Sequence, residues 1–236
     1  AGSPPVAAGV DRDRAARLLA RATSGWMGPA QSADLVAAYG IAGPSGLPAD
    51  TSDEAIEALF ALGGPVALKI DHPGVVHKAD RGGVRLGVSS PDEVRKAFAD
   101  LADGSASGPA RVFVQRMAET GQDVIIGGVR DSQFGPLIMF GSGGVEVEGL
   151  EDVEFALAPL TLADVDHLLA GTWAGRRLSG YRTIPPGDIT AVEAALFRIG
   201  RLISDHPNIE EIEINPLRVL SPGAGALALD VRVRVG

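Results

Sequence analysis

Two groups of residues in this 236-residue chain have types and spacings that can do chemistry. The first lies in residues 64–87, GPVALKIDHPGVVHKADRGGVRLG. An apolar run from Pro65 to Leu68 reads as a buried strand that delivers Lys69 at its end. His72, His77 and Lys78 follow, then the pair Gly82-Gly83, and Val84 to Val88 reads as a second strand. A strand–glycine turn–strand hairpin flanked by lysines can hold a polyphosphate. Glycine lets backbone N–H groups close around the oxygens, and ammonium groups supply a mobile countercharge. A surface hairpin with solvated basic residues fits the same stretch equally well. The second group is Glu-Ile-Asn-Pro-Leu, 213–217, with Ala-Leu-Asp, 228–230. Asn215 and Asp230 stand near the ends of two strands that a hairpin would bring side by side. An amide oxygen and a carboxylate, completed by phosphate oxygens and water, suit Mg²⁺. The plainer reading is that Asn215-Pro216 starts a turn and Asp230 caps a strand.

Other candidates carry less. His72 precedes Pro73 and reads as a turn residue, while His167 and His206 read as structural or solvated. Glu148 and Asp152 follow the glycine turn 141–144 at helical spacing, as a solvated face would. Arg130-Asp131 could meet a phosphate or form a surface ion pair worth little. Trp26 and Trp173 are too far apart in sequence to define a stacking platform.

Composition narrows the classes. A net charge of −9 argues against a nucleic-acid surface, which needs a basic field. There is no cysteine, so thiolate chemistry and disulfides are excluded, in keeping with a reducing cytoplasm. No apolar run approaches the roughly 18–20 residues of a membrane span. The start, AGSPPVAAG, lacks the charged-then-apolar layout of a signal peptide. The length suits one large domain or two smaller lobes.

The elements that must position these residues read as interleaved helices and strands. Helical spacing covers residues 11–22, then 29–39 with Gly40 as a C-cap, 54–62 with Ser52 as its cap, and a helix after Pro91. Residues 161–169 and 188–203 also read as helices, while 41–47 is a poor strand or a loop. ADGSASGPA, 102–110, is the clearest loop. Strands are expected over 112–117, 123–129, 136–140, 209–214 and 226–233. Because the strands come in hairpin-like pairs, the pattern favours an α+β fold over a regularly wound parallel sheet.

In that order, GPVALKIDHPGVVHKADRGGV, VFVQRM, DVIIGGVRDSQFGPLIMFGSGG, EIEINPL and ALD resemble the ATP-grasp part of NDP-forming acyl-CoA synthetases. Succinyl-CoA synthetase β subunits are more distant relatives. The match covers nearly the whole chain, including the early AAYGI segment. The resemblance implies an ATP-grasp fold with the nucleotide, ATP or ADP, between two lobes. Residues 40–111 would be the small lobe; 1–39 and 112–236 would form the larger one. Lys69 matches the lysine that reaches the nucleotide phosphates, and Gly82 and Gly83 match the phosphate-covering hairpin. Gln115, Arg116 and Met117 fall on the hinge strand beside the adenine. Asn215 and Asp230 match the magnesium ligands, and His77 matches a histidine that in some members carries a phosphoryl group between sites. Three positions depart from the pattern: Ala79 where a hydroxyl residue is common, Ser142 where leucine is usual, and Asp123 where glutamate is usual. The last shortens an acid near the nucleotide by one methylene.

The implied activity is the phosphoryl-transfer half of acyl-CoA + ADP + phosphate ⇌ acid + CoA + ATP, through a phosphohistidine. No Gly-x-Gly-x-x-Gly stretch for CoA is present. The resemblance therefore implies a partner, a CoA-binding domain or α subunit carrying a phosphohistidine, and a chain that is either a β subunit or an excised domain. A regulatory nucleotide-binding module of a protein acetyltransferase, without turnover, is the competing expectation.

Overall fold

A computed structural model describes residues 9–71, 82–103, 111–144 and 152–236. The chain divides into two units: Ala1–Met27, Gln31–Gly43 and Glu119–Gly236 form the first, and Gly28–Ala30 with Pro44–Ala118 the second. It is α+β throughout.

The second unit is a four-stranded antiparallel sheet of β2 (Gly46–Ala49), β5 (Val112–Arg116), β3 (Val66–Ile70) and β4 (Val84–Val88), in that spatial order. Helices α3 (Ser52–Leu62) and α4 (Pro91–Asp103) pack on one face. Period-2 alternation directs Val66, Leu68, Ile70, Val112 and Val114 to that face, against Ala55, Leu59, Val94 and Leu101. The α3 cap is Thr51, whose hydroxyl accepts from Glu54 N at 3.2 Å, one residue before the expected Ser52. The expected lobe boundary at 111/112 moves. Strand β5 lies between β2 and β3 and pairs with both, so the chain leaves this unit only after Ala118. Alternation in VFVQRM fixes which residues share a face, but not which strands flank them.

The first unit is a seven-stranded antiparallel sheet. Its path is β1 (Gly25–Trp26), β11 (Val231–Val235), β9 (Ile209–Val219), β6 (Gln122–Asp131), β7 (Gly135–Ser142) and β8 (Val153–Leu157), with β10 (Ala226–Ala228) pairing β9. The core lies between this sheet and helices α1 (Arg12–Ala20), α2 (Pro29–Ala38), α5 (Leu162–Gly171), α6 (Trp173–Leu178) and α7 (Ile189–Asp205). Helix α7 presents Val192, Ala195, Leu196, Ile199, Leu202 and Ile203 at helical spacing. They meet Ile126, Ile138, Phe140, Ile212 and Ile214 of the sheet. Strands β1 and β8 and helix α6 are additions to the sequence reading, each short enough to leave little periodic signal; β2 overlaps the end of the poor strand or loop read at 41–47, and the strand expected over 226–233 is divided into β10 and β11. Among the described residues no helix is long and apolar enough to cross a membrane.

Candidate functional site

In the first unit the structure brings Asn215 and Asp230 together. Strand β9 pairs with β11 from Ile214↔Val231 and with β10 up to Leu217↔Ala228, and Leu229 and Asp230 form the bend between those two strands. Asn215 N donates to Asp230 O at 3.0 Å and Leu229 N to Pro216 O at 3.0 Å. Asn215 of β9 and Asp230 of the bend are therefore joined backbone to backbone. On the other side of β9 the register shifts. Val124 pairs Leu217 and Ile126 pairs Ile214, so Asn215 and Pro216 stand against the single Ile125. A bulge of this kind re-aims the side chain it carries. Asn215 belongs to a strand that continues to Val219, not to a turn.

The glycine turn after β7 completes this corner. Gly144 N donates to Asn215 Oδ1 at 3.0 Å, and Gly143 N donates to the Asp123 carbonyl at 3.3 Å. A Cβ on Gly143 would collide with the Val124 backbone, and Gly144 has φ +77°. Both positions therefore need glycine. Asp123 is held by Arg218 of β9 through two parallel bonds, Nε to Oδ1 and Nη2 to Oδ2, each 2.8 Å. These bonds raise the Arg218 guanidinium above its ordinary pKa against the effect of its partial burial. Gly121, Gln122, Asp123, Gly143, Gly144, Arg177 and Ile184 line a cavity of about 300 Å³ beside it.

The donor set fits magnesium. Both side chains offer hard oxygen, and the Asn215 carbonyl keeps a second lone pair beyond the one Gly144 uses. Among the described residues no group of three acidic or histidine side chains could hold a metal by itself.

The other expected ligand contacts lie in the second unit. Lys69 is opposite Phe113 and Ala67 opposite Gln115, so Lys69 and Gln115 share the sheet face away from α3 and α4, and both are buried. Gly83 O accepts from Ile70 N at 3.0 Å, and Gly82 has φ +67°, which places the glycine pair at the base of the β3–β4 hairpin. Arg116 is exposed, its backbone N–H bonded to Ser45 O, and Met117 N donates to Pro65 O. His77, His72, Ala79 and Glu148 lie outside the described residues.

Five candidates make structural contacts. Arg130 and Asp131 do not pair. Arg130 donates to the carbonyls of Ile203 and His206 at the end of α7 and of Ile209 at the start of β9, and Asp131 accepts from Gln133 N and Phe134 N in the β6–β7 turn. Asp152 is not a solvated face residue. It accepts from Ser142 Oγ at 2.6 Å, Trp173 N at 2.6 Å and Ala174 N at 2.9 Å, which explains a polar residue at 142. His206 sits against Tyr39 at 3.1 Å and His167 beside Glu154 at 3.7 Å, both structural contacts. Arg218 is the residue that sequence reasoning missed, since nothing local marks its bond to a residue on another strand. Glu213, two residues before Asn215 on the same strand, lines a second cavity of about 300 Å³ with Gly127, Met139 and Phe155.

Compared with known proteins, residues 18–235 match the model of a family described as ATP-grasp domain. The chain is 38% identical over 234 residues to acetate–CoA ligase [ADP-forming] I of Archaeoglobus fulgidus, covering 96% of this chain and 34% of that protein. It is 34% identical to acetate–CoA ligase [ADP-forming] I subunit beta of Pyrococcus furiosus, covering 86% of this chain and 89% of that subunit. The fold superposes on a dinucleotide forming acetyl-coenzyme A synthetase 1 of Ca. Korarchaeum cryptofilum with a TM-score of 0.78 and 34% identity, covering 95% of this chain and 99% of that one. That structure holds coenzyme A and Mg-AMPPCP, with its phosphohistidine segment pointing towards the nucleotide binding site. The chain spans about a third of the length of the first curated relatives it matches.

Proposed function

We infer the function from one premise: this chain belongs to the ATP-grasp domain family, in the branch of the ADP-forming acyl-CoA ligases. It is the part that moves a phosphoryl group between an adenine nucleotide and a histidine, within a ligase that interconverts acyl-CoA, ADP and phosphate with acid, CoA and ATP. The observation that carries the reading is the backbone-bonded pair Asn215 and Asp230, with the Gly144 amide on Asn215 Oδ1.

In the ATP-forming direction an oxygen of the ADP β-phosphate attacks the phosphorus of a phosphohistidine. The N–P bond breaks, its electron pair returns to the imidazole, and the γ-phosphoryl group is in place. Such a transfer asks the protein for positioning and charge neutralisation. Lys69 supplies positive charge to the phosphates, and the Gly82 and Gly83 backbone approaches them without side-chain obstruction. Gln115, Arg116 and Met117 flank the base, and Asp123 lies near the nucleotide. Asn215 and Asp230 would hold the metal. When bound, Mg²⁺ would offset the charge of the phosphates. His77 is the relay on this chain, receiving the group from a CoA-binding domain or α subunit. The P. furiosus relative, itself a β subunit, supports a partner of that kind. The absence of cysteine fits a cytoplasmic setting.

The test is phosphoryl exchange. The chain is mixed with its CoA-binding partner and labelled ATP, and acid-labile label is sought at residue 77 and on the partner. Exchange that requires Asp230 supports the reading. Nucleotide binding with no exchange, partner present, would replace it with a regulatory module.

A further inference from the structure

We propose that Arg218 is a positioning residue for the metal–nucleotide site: its fork on Asp123 clamps the Gly143–Gly144 turn whose amide aims Asn215 Oδ1. The inference rests on the reading of Asn215 and Asp230 as the metal pair and extends it to a residue outside the family motifs.

The contacts form a closed ring. Arg218 Nε and Nη2 bind the two Asp123 oxygens at 2.8 Å each. A Cβ built on Gly144 would lie 3.7 Å from Asp123 Oδ2, so the clamped carboxylate rests against the turn. The Asp123 carbonyl accepts from Gly143 N at 3.3 Å and from Arg177 Nη2 at 3.0 Å, which fixes the other side of the same residue. Gly144 N then reaches Asn215 Oδ1 at 3.0 Å, and Asn215 returns to Arg218 along β9 three residues later. A hydrogen bond onto a ligand atom's own carbonyl sets where its remaining lone pair points. A planar guanidinium holding both oxygens permits one carboxylate orientation, which a lysine's point charge does not.

The competing role is a plain ion pair. Both side chains keep about a quarter of their surface exposed, 23% and 26%, and such pairs contribute little to stability. A pair of that kind would leave the metal dependence of binding untouched, which separates the two roles.

The experiment titrates ADP into the full chain with and without Mg²⁺, for wild type, Asn215→Ala, Arg218→Met, Arg218→Lys and the Asn215→Ala/Arg218→Met double variant. Exchange of the Gly144 amide hydrogen is followed without metal. Arg218→Met should lower the Mg²⁺-dependent gain in affinity roughly 10- to 100-fold, the range for partners that orient metal ligands. Metal-free affinity should stay unchanged, Arg218→Lys should recover part of the loss, and Gly144 exchange should accelerate. In the double variant the losses should not add, because Arg218 acts through Asn215. Additive losses, an equal loss with and without metal, or unaltered Gly144 exchange would each overturn the proposal. If Asn215→Ala leaves the Mg²⁺ dependence intact, the metal reading fails instead, and Gly144 exchange still reports whether Arg218 governs the turn. Should Arg218→Met not fold, Arg218→Gln removes the same fork and carries the same outcomes.

Discussion

Asp230, in the bend between β10 and β11, is bonded to Asn215 of β9, whose backbone N–H donates to the Asp230 carbonyl at 3.0 Å. This bond brings an anionic and a neutral residue with oxygen donors close together. Their unequal charge leads to the first prediction.

Asp230→Asn should weaken the Mg²⁺-dependent part of nucleotide affinity far more than the metal-free part. The loss should reach at least about tenfold, since even the partners that orient metal ligands are worth that much. Titration calorimetry with and without Mg²⁺ decides it, and an equal loss in both would make Asp230 structural.

The glycine turn should resist any side chain, for two separate reasons. Gly144→Ala places a Cβ in the left-handed region at φ +77°, a cost of about 1–2 kcal/mol. Gly143→Ala drives a Cβ into the Val124 backbone, an overpacking cost of about 1–3 kcal/mol. Urea denaturation should find both variants destabilised, and Gly144→Ala should also lower the Mg²⁺-dependent affinity by displacing the amide from Asn215.

Arg130 should matter for stability and not for ligand. Its guanidinium satisfies the carbonyls of Ile203, His206 and Ile209, so Arg130→Ala strands half-buried acceptors at the end of α7. The expected cost is about 1–3 kcal/mol in chemical denaturation. Nucleotide affinity measured well below the unfolding transition should be unchanged; a selective loss of affinity would restore the phosphate-contact reading of this residue.

Asp152 makes a prediction about acid. Burial alone would raise its carboxyl, but the Ser142 hydroxyl, the Trp173 and Ala174 N–H groups and the Arg176 charge outweigh that and hold it below the ordinary value. A folded pKa below the unfolded one means the native state prefers the ionised form. The stabilisation is present above the unfolded value of about 3.9 and is lost as pH falls through the lowered folded value. Asp152→Asn should therefore be less stable than wild type at pH 6, and the gap should narrow below about pH 4. A gap that stays constant across that range would mean the carboxylate charge plays no part.

Much of this protein was legible before any coordinates. The α+β class followed from hairpin-like strand pairs between amphipathic helices. The nearness of Asn215 and Asp230 was readable from two local strands joined by a proline- and glycine-bearing turn. Both rest on short-range facts, periodicity and turn chemistry, that a sequence states directly. Which strand lies beside which was not legible. Alternation in Val112–Arg116 determines the faces of the strand, yet only the packing of Val112 and Val114 against α3 and α4 placed it between β2 and β3 and moved the boundary to Ala118. The same limit hid Arg218 on Asp123, Arg130 on the end of α7 and Asp152 on α6. Each of these is a polar contact between elements far apart in the chain. Such contacts form because buried or half-buried polar groups must find partners once the sheet has closed, and the identity of the partner is a property of the closed sheet, not of any window of sequence.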